Sequence, residues 1–183
     1  MQSNPRIDAM MKAAKVLIVD DEYYTRKVIR ALLMGIGVEH IHDAVDGPSG
    51  LEAIKAITPD VVLLDWEMPG MDGAEFTRRV RQPTIFPYPN VPIIMLTGHG
   101  ERSRVMEAVR FGVHEFLLKP VSSGALLARI VSVLSKPRPM VRRGGYYGPE
   151  PRGGAGFRPQ AFDSYDLTSD QVVDTRRSCR IFV

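Results

Sequence analysis

The feature that most constrains the fold of this chain is an apolar run that ends abruptly in an acid. Residues 61–64 are Val-Val-Leu-Leu, and Asp65 follows them directly. A short apolar run without polar alternation is typical of a strand buried on both faces. Pro69 and Gly70 then turn the chain, so the strand cannot continue. The pattern predicts a carboxylate at the carboxyl end of a central strand, where open α/β sheets keep their ligand crevices. The plain alternative is that Asp65 only caps the next helix.

Strand and helix patterns alternate along most of the chain. Four of the five predicted helices carry an apolar stripe on one side, the exception being the helix at residues 101–111. Five βα units in succession favour an α/β fold with a doubly wound parallel sheet and right-handed crossovers. The predicted strands cover residues 15–20, 38–44, 61–65, 92–97 and 115–119, and the predicted helices cover residues 23–35, 48–57, 74–81, 101–111 and 124–134.

Composition and charge divide the chain into three parts. Residues 1–14 are polar and mixed, and we expect a loose leader there. Residues 15–136 carry the strand and helix pattern, and 16 basic residues balance 16 acidic residues up to Lys136. Residues 137–183 hold eight arginines against five acids, and this Pro/Gly/Arg-rich tail should be disordered or loosely packed. The folded part therefore has no net charge that would favour DNA.

The sequence gives no sign of a secreted or membrane protein. No apolar run approaches the roughly 20 residues of a membrane-spanning helix. The first 15 residues lack the apolar core of a secretory signal. The single cysteine, Cys179, cannot form an internal disulfide, which fits a reducing compartment. We therefore expect a cytoplasmic protein without a membrane span.

Reactive side chains stand at the ends of four predicted strands. Asp20 and Asp21 close the first strand, Asp65 the third, Thr97 the fourth and Lys119 the fifth. Because parallel strands end at one edge of a sheet, these side chains should meet there. Three crowded carboxylates repel one another, and Mg²⁺, which prefers oxygen ligands, would relieve that repulsion. A hydroxyl and an ammonium beside the cation suit a phosphoryl group, with Asp65 as the nucleophile that forms an acyl phosphate.

Four short motifs together resemble the receiver domain of bacterial response regulators. The resemblance covers about residues 15–135 and rests on the joint pattern, since each motif alone is weak. It implies a flavodoxin-like sheet with strand order 2-1-3-4-5. The motifs are Val19-Asp20-Asp21, Leu64-Asp65-x-x-Met68-Pro69-Gly70-Met71-Asp72-Gly73, Leu96-Thr97-Gly98 and Phe116-Leu117-Leu118-Lys119-Pro120.

The resemblance assigns the acids to a phosphoacceptor and its metal. Asp65 would accept a phosphoryl group from a sensor histidine kinase or a phosphotransfer protein. Asp21 and Asp65 would bind Mg²⁺ directly, and Asp20 would act through a water molecule. The main-chain carbonyl of Glu67 would supply a further ligand. The cofactor that the resemblance implies is therefore Mg²⁺.

The resemblance also assigns the residues around the phosphoryl group. Thr97 would hydrogen-bond the phosphoryl group, and Lys119 would pair with it. Phe116 stands where the family keeps an aromatic switch that swings inward when the threonine moves. The Lys119–Pro120 peptide bond matches a position that is usually cis, an isomer that the tertiary amide of proline makes accessible.

Four departures from the family pattern bear on this assignment. Phe116 lacks the hydroxyl of the usual tyrosine, and Gly98 replaces the more usual alanine after the threonine. Glu67 and His99 occupy the variable positions that tune the lifetime of the phosphate. The loop at 82–91 contains three prolines and is longer than the family usually has before the fourth strand. None of the four departures removes a reacting group.

No output domain is recognisable after residue 136, so the resemblance implies a stand-alone response regulator. We expect it to signal to an unidentified downstream protein through phosphorylation-dependent contacts. The face built from the fourth helix (101–111), the fifth strand and the fifth helix (124–134) would be the two-state element, and a phosphorylation-dependent homodimer would use that face. The protein is not expected to be an enzyme, because it would catalyse only its own phosphorylation and dephosphorylation.

Other functions and simpler roles use similar residues. A pseudo-receiver would be a constitutive binding module, but all five site residues are present. A phosphatase with an aspartate nucleophile would need a second acid two residues later, where Glu67 stands, yet the remaining site residues fit the receiver pattern. A flavin-binding protein would need a phosphate-cradling loop where Asp20 and Asp21 lie. Arg26 and Lys27, beside the site, are interpreted as a solvated helix face rather than a kinase dock.

Overall fold

Five parallel strands form the central sheet of the protein, whose computed structural model describes residues 4–98 and 110–151. The strands are β1 (Lys15–Val19), β2 (His40–Ala44), β3 (Val61–Asp65), β4 (Ile93–Thr97) and β5 (Glu115–Leu118). They lie in the order β2-β1-β3-β4-β5, and every pairing is parallel. The predicted α/β fold class and strand order are therefore confirmed.

Helices pack on both faces of this sheet. The described helices are α1 (Pro5–Ala13), α2 (Tyr23–Gly35), α3 (Gly47–Ile57), α4 (Gly73–Val80) and α5 (Ser123–Ser135). Asp46, Asp72 and Ser122 begin α3, α4 and α5, since each side chain accepts a hydrogen bond from a backbone N–H three residues later. The helix predicted over 101–111 lies largely outside the described residues. Within the described ranges, no helix is long and apolar enough to cross a membrane.

Apolar layers cover both faces of the sheet, and side chains of β3 pack into both layers. Val61 and Leu63 pack into the layer that contains side chains of α1, α2 and α5. Val62 and Leu64 pack into the opposite layer, with side chains of α3 and α4. This alternation arises because successive side chains of a strand point to opposite faces of the sheet. All five residues of β3 are buried, so the core fixes the position of Asp65 at its end.

The first residues form a helix instead of the expected loose leader. The side chain of Asn4 caps α1 by accepting a hydrogen bond from the N–H of Arg6, and Pro5 occupies the first turn. Met11 is fully buried in the layer shared with α2 and α5. Burying such a side chain contributes roughly 1.5–3 kcal/mol, which explains why this polar segment is ordered against the domain.

The expected loose tail begins with a β-hairpin. Its strands are β6 (Met140–Arg143) and β7 (Tyr146–Pro149), which pair antiparallel. Gly144 has φ +58° in the connecting turn, a conformation that glycine adopts without strain. The side chain of Tyr146 is buried, and its hydroxyl donates to the carbonyl of Pro149 at 2.7 Å. The expectation of a disordered or loosely packed tail is therefore wrong for residues 140–149, and residues 152–183 lie outside the described residues.

The hairpin packs closely on the turn that precedes β5. Gly112, at φ +88°, touches β7 so tightly that a Cβ atom there would lie 2.7 Å from the carbonyl oxygen of Tyr147. The hydroxyl of Tyr147 donates to Oδ1 of Asn90 at 2.6 Å. Arg138 donates from its guanidinium to the carbonyl of His114. These contacts anchor the hairpin at the end of the sheet opposite to the carboxyl ends of its strands.

A buried arginine joins the segments at this end of the sheet. Arg81 donates to the carbonyls of Gly112 at 2.9 Å, Pro89 at 2.5 Å and Val91 at 2.9 Å. Its guanidinium also lies 3.3 Å from Nδ1 of His114. Burial lowers the pKa of Arg81 to about 9, which leaves it charged at neutral pH. The arginine thereby fixes the proline-containing loop that leads into β4.

Candidate functional site

The ends of four strands bring the predicted site residues to one edge of the sheet. Asp65 is the last residue of β3, and Thr97 is the last residue of β4. Asp20 directly follows β1, and Lys119 directly follows β5. The N–H of Lys119 donates to the carbonyl of Thr97 at 2.8 Å, which holds the ends of β4 and β5 level.

The ammonium of Lys119 joins two of the carboxylates. Its Nζ lies 2.8 Å from Oδ1 of Asp65 and 3.0 Å from Oδ2 of Asp20. Asp20 is fully buried, and Asp65 is 6% exposed. Because a buried charge is costly without a partner, Lys119 offsets much of the cost of placing these two carboxylates side by side.

The electrostatics of this cluster favour an additional cation. Burial raises the pKa of Asp65, and the neighbouring charge of Asp20 raises it further, although Lys119 opposes both effects. Burial lowers the pKa of Lys119, but its hydrogen bonds and charge interactions with Asp65 and Asp20 outweigh this and raise the pKa above its usual value. The raised pKa of Lys119 favours its ammonium form, and the raised pKa of Asp65 indicates that Lys119 only partly balances the charge of this carboxyl group.

Backbone contacts fix the turn that follows β1. Oδ1 of Asp20 accepts a hydrogen bond from the N–H of Glu22 at 2.9 Å. The N–H of Asp20 donates to the carbonyl of Ala44 at 3.3 Å, and the carbonyl of Asp20 accepts from Nη1 of Arg26 at 2.7 Å. Asp20 is thus held from several sides, while Asp21 is exposed to solvent.

Three carboxylates of the site are close enough to share a metal ion. Among the described residues, Asp20, Asp21 and Asp65 form the one group of three potential protein ligands, with an oxygen of each within 4.8 Å of the others. A donor set made only of carboxylate oxygens suits a hard cation such as Mg²⁺ and not a soft transition metal. The residues therefore fit the expected cofactor. Glu67 lies two residues beyond Asp65, on an exposed part of the following loop.

A glycine lets this loop return to the end of β3. A Cβ atom at Gly73 would lie 2.7 Å from the carbonyl oxygen of Asp65 and 2.9 Å from Sδ of Met95, so a larger residue would displace the first turn of α4. The N–H of Gly73 donates to the carbonyl of Trp66 at 2.9 Å. The Met-Pro-Gly-Met-Asp-Gly motif therefore closes the loop that carries Glu67 beside the acids.

The remaining predicted residues occupy the expected side of the sheet. Thr97 is 5% exposed at the end of β4. Phe116 is half-buried and packs against the layer that contains α3 and α4. The Lys119–Pro120 peptide bond is cis, as the resemblance implied. His99 lies outside the described residues, so its role in phosphate lifetime stays a prediction.

Arg26 is the site residue that the sequence analysis placed wrongly. It was expected on a solvated helix face, but it is 9% exposed and donates to the turn after β1. Its guanidinium lies 5.8 Å from the centroid of the Tyr23 ring. Helical spacing places Arg26 on the same face of α2 as Ile29 and Leu33, the other buried residues of this helix, but that spacing alone does not distinguish a buried arginine from one at the edge of the apolar stripe.

Comparison with known proteins identifies the family to which this arrangement belongs. The family model of the response regulator receiver domain matches residues 16–131. The chain belongs to that family. The match begins in β1 and ends within α5, so α1 and the β6–β7 hairpin of this receiver lie outside it.

The relatives include chemotaxis proteins and a transcriptional regulatory protein. Chemotaxis protein CheY-3 of Vibrio cholerae is 30% identical over 125 residues, which cover 68% of this chain and 95% of the relative. The phosphate regulon transcriptional regulatory protein PhoB of Pseudomonas aeruginosa is 34% identical over 129 residues, which cover 70% of this chain and 55% of the relative. A solved CheX–CheY–BeF₃⁻–Mg²⁺ complex from Borrelia burgdorferi is similar at a TM-score of 0.60, with 30% identity, 66% of this chain and 88% of that chain covered. The chain is thus a response regulator receiver with the phosphoacceptor function of that family.

Proposed function

We propose that this protein is a stand-alone response regulator that accepts a phosphoryl group on Asp65 from a histidine kinase, in a reaction that depends on Mg²⁺. The observation that carries the proposal is the contact of Lys119 with both Asp65 and Asp20, with Asp21 beside them. One ammonium and three carboxylates at a strand end match what phosphoryl transfer needs, namely a nucleophile, a metal site and a cation for the transferred group. Membership of the receiver family supports the same function.

The transfer step assigns a role to each reacting group. A carboxylate oxygen of Asp65 attacks the phosphorus of a phosphohistidine, and the P–N bond breaks as the new O–P bond forms. The imidazole leaves with the electron pair of that bond and takes a proton from solvent. Lys119 donates to an oxygen of the transferred phosphoryl group, and the hydroxyl of Thr97 donates to another. The product is an acyl phosphate on Asp65.

The three acids divide the binding of the metal between them. Bound Mg²⁺ would neutralise negative charge on the phosphoryl oxygens and the carboxylates. Asp21 and Asp65 would hold it directly, together with the main-chain carbonyl of Glu67. Asp20 would act through a water molecule, because its two oxygens already accept hydrogen bonds from Glu22 and Lys119. The CheX–CheY complex from Borrelia burgdorferi, which contains BeF₃⁻ and Mg²⁺, supports Mg²⁺ as the metal.

The proposal includes a signalling output through protein contacts. The phosphoryl group would draw Thr97 towards it, and Phe116 would move inward in response. The face next to Phe116 would then bind an unidentified downstream protein or a second phosphorylated copy of the chain. Such a protein would work in the cytoplasm, where histidine kinases present their phosphohistidine. Glu67 and His99 would set how long the acyl phosphate survives.

The test is phosphorylation of the purified protein by a small phosphodonor, followed by intact mass. We expect a single phosphoryl adduct that requires Mg²⁺, is absent when EDTA is present from the start, and is absent in Asp65→Asn. Asp72→Asn is the matched control, because Asp72 lies in the same loop but caps α4, and asparagine is an equally good cap. An adduct of wild-type amount in Asp65→Asn would refute the assignment of the phosphoacceptor. Failure of the small donor and of a panel of phosphorylated histidine kinases would refute the proposed activity.

A further inference from the structure

We propose that Arg26 is a positioning residue of the Mg²⁺ site and acts through the main chain of Asp20. The inference rests on the proposed function, because it assumes that Asp20, Asp21 and Asp65 hold the metal. Arg26 belongs to α2 and not to the acid loop, the turn at residues 20–22 that carries Asp20 and Asp21. Its contribution would be to hold that loop in the shape that presents Asp21 to the cation.

The guanidinium of Arg26 is enclosed between the acid loop and an aromatic ring. Nη1 donates to the carbonyl oxygen of Asp20 at 2.7 Å, a distance typical of a charge-assisted hydrogen bond. On another side, the guanidinium lies 5.8 Å from the centroid of the Tyr23 ring, within the range of a cation–π contact. The residue is 9% exposed, so neither contact competes strongly with water.

Because of the geometry of the peptide bond, the hydrogen bond from Arg26 to Asp20 also influences the orientation of Asp21. The carbonyl of Asp20 and the N–H of Asp21 share one planar peptide unit. A donor that fixes the carbonyl oxygen of Asp20 therefore fixes the orientation of that plane, and with it the direction in which Asp21 leaves the backbone. Asp20 has other restraints on its side chain, whereas Asp21 is exposed. Arg26 is thus placed to orient Asp21, the exposed acid of the three.

A positioning role and a purely electrostatic role of Arg26 predict opposite changes in the affinity for Mg²⁺ when Arg26 is removed. If Arg26 acted only as a positive charge near three carboxylates, its removal would strengthen Mg²⁺ binding. If Arg26 orients the acid loop, its removal weakens Mg²⁺ binding despite the lost repulsion. The sign of the change in affinity therefore separates the two roles without any assay of phosphorylation.

The chain supplies a matched control in the next residue. Lys27 is exposed and also lies over the Tyr23 ring, with Nζ 5.3 Å from its centroid. Lys27→Gln removes one positive charge from the same turn of α2 and leaves the Arg26–Asp20 contact in place. Comparison of Arg26→Gln with Lys27→Gln therefore isolates the hydrogen bond to the acid loop.

The experiment titrates Mg²⁺ alone into the full chain and follows the fluorescence of Trp66, with calorimetry as a second readout. Thermal melts in EDTA show that each variant is folded at the temperature of the titration. We expect the Kd for Mg²⁺ to rise roughly tenfold in Arg26→Gln, the typical effect of losing a residue that orients a metal ligand. Lys27→Gln should bind as tightly as the wild type or more tightly. Arg26→Lys should lie between the wild type and Arg26→Gln, because its shorter side chain keeps the charge but not the planar donor.

Each result has a definite meaning. An unchanged or lower Kd in folded Arg26→Gln would overturn the inference and leave the proposed phosphoacceptor intact. If Arg26→Gln does not fold in EDTA, Arg26→Lys decides, because a wild-type Kd in that variant would show that the guanidinium is not required. A wild-type protein that binds no Mg²⁺ would overturn both the inference and the metal dependence of the proposed function.

Discussion

Nζ of Lys119 lies 2.8 Å from Oδ1 of Asp65, and both side chains are largely shielded from water. The same ammonium contacts Asp20, so one cation balances two acids. Mg²⁺ would use oxygens of this same cluster. Lys119 and a bound metal ion would therefore be neighbours that share carboxylates, and the two cations would repel each other.

This shared use of carboxylates predicts that Lys119→Met separates metal binding from phosphoryl transfer. We expect the Kd for Mg²⁺ to fall, because the competing ammonium is gone. We expect phosphorylation of Asp65 to slow by on the order of 10²-fold, since a positioned donor to the transferred group is lost. Titration of Mg²⁺ and the rate of adduct formation by intact mass measure the two effects on one protein.

The control for this variant is Lys12→Met. Lys12 lies on α1, is exposed and pairs with Glu39, so its loss removes the same charge far from the acids. It should change neither the Kd nor the rate. A parallel loss of metal binding and phosphorylation in Lys119→Met would contradict the argument and show that the ammonium chiefly maintains the shape of the site.

Mg²⁺ should also stabilise the folded protein, and Asp21 should be required for that effect. A ligand that binds only the folded state at about 100 times its Kd adds about 2.7 kcal/mol to the free energy of unfolding. Asp21→Ala should abolish the resulting rise in melting temperature, because it removes a direct ligand. Glu22→Gln removes the neighbouring charge and should keep most of the rise. Thermal melts with Mg²⁺ and with EDTA make the comparison, and an undiminished rise in Asp21→Ala would exclude it as a ligand.

The sequence was sufficient to predict the sheet and the cluster of acids because both depend on short-range patterns. The apolar run before Asp65 identifies a central strand, and parallel strands place all their carboxyl ends on one edge. Once the five strands are located, the strand order 2-1-3-4-5 that the resemblance implies places Asp20, Asp65 and Lys119 near the same point of that edge. Thr97 joins them for the same reason, as the last residue of β4.

Helix α1, the β6–β7 hairpin and the burial of Arg26 were not predicted, because they depend on tertiary contacts that the local composition does not reveal. Asn4 and Pro5 are sound signals for the start of α1, but its stability comes from the burial of Met11 against the sheet. The two residues Gly144 and Gly145 between β6 and β7 are a hairpin signal, hidden in a segment that is rich in Pro, Gly and Arg. Arg26 was misassigned because a charged residue on a surface helix is usually solvated, and only a carbonyl at the end of β1 makes its burial favourable.

Because the β6–β7 hairpin packs closely on Gly112, adding one methyl group at this residue should lower the stability of the fold. Gly112→Ala would strain a residue at φ +88° and place a Cβ 2.7 Å from the carbonyl oxygen of Tyr147. We expect it to lower the free energy of unfolding by about 1–3 kcal/mol. Gly124→Ala, in α5 with nothing within 4 Å of the added Cβ, should be neutral or stabilise by up to about 1 kcal/mol. Urea denaturation compares the two, and equal stabilities would show that the hairpin is not docked on Gly112.

The same end of the sheet contains a histidine that the fold keeps neutral. His114 is 8% exposed, and its Nδ1 lies 3.3 Å from both Nη2 of Arg81 and the N–H nitrogen of Ile93. Burial lowers the pKa of His114 to about 2, and the positive charges of Arg81 and Arg138 contribute to that decrease. A proton on this ring would have to enter a buried space beside a guanidinium. The folded state therefore excludes a proton that the unfolded chain accepts.

This difference in proton uptake predicts how stability depends on pH. In the unfolded chain the histidine binds a proton near its ordinary pKa of about 6.5, whereas the folded protein binds it only near 2, so the unfolded state holds more protons between these values. The stability contributed by neutral His114 is complete above pH 6.5 and is lost as the pH falls, by up to about 1.4 kcal/mol per pH unit. His114→Gln should flatten the fall in stability between about pH 7 and pH 5, where carboxylates titrate little. His40→Gln, which removes an exposed histidine of β2, should leave the slope of the wild type. Urea denaturation across this range measures the slopes, and an equal slope in His114→Gln and the wild type would show that another group binds the proton.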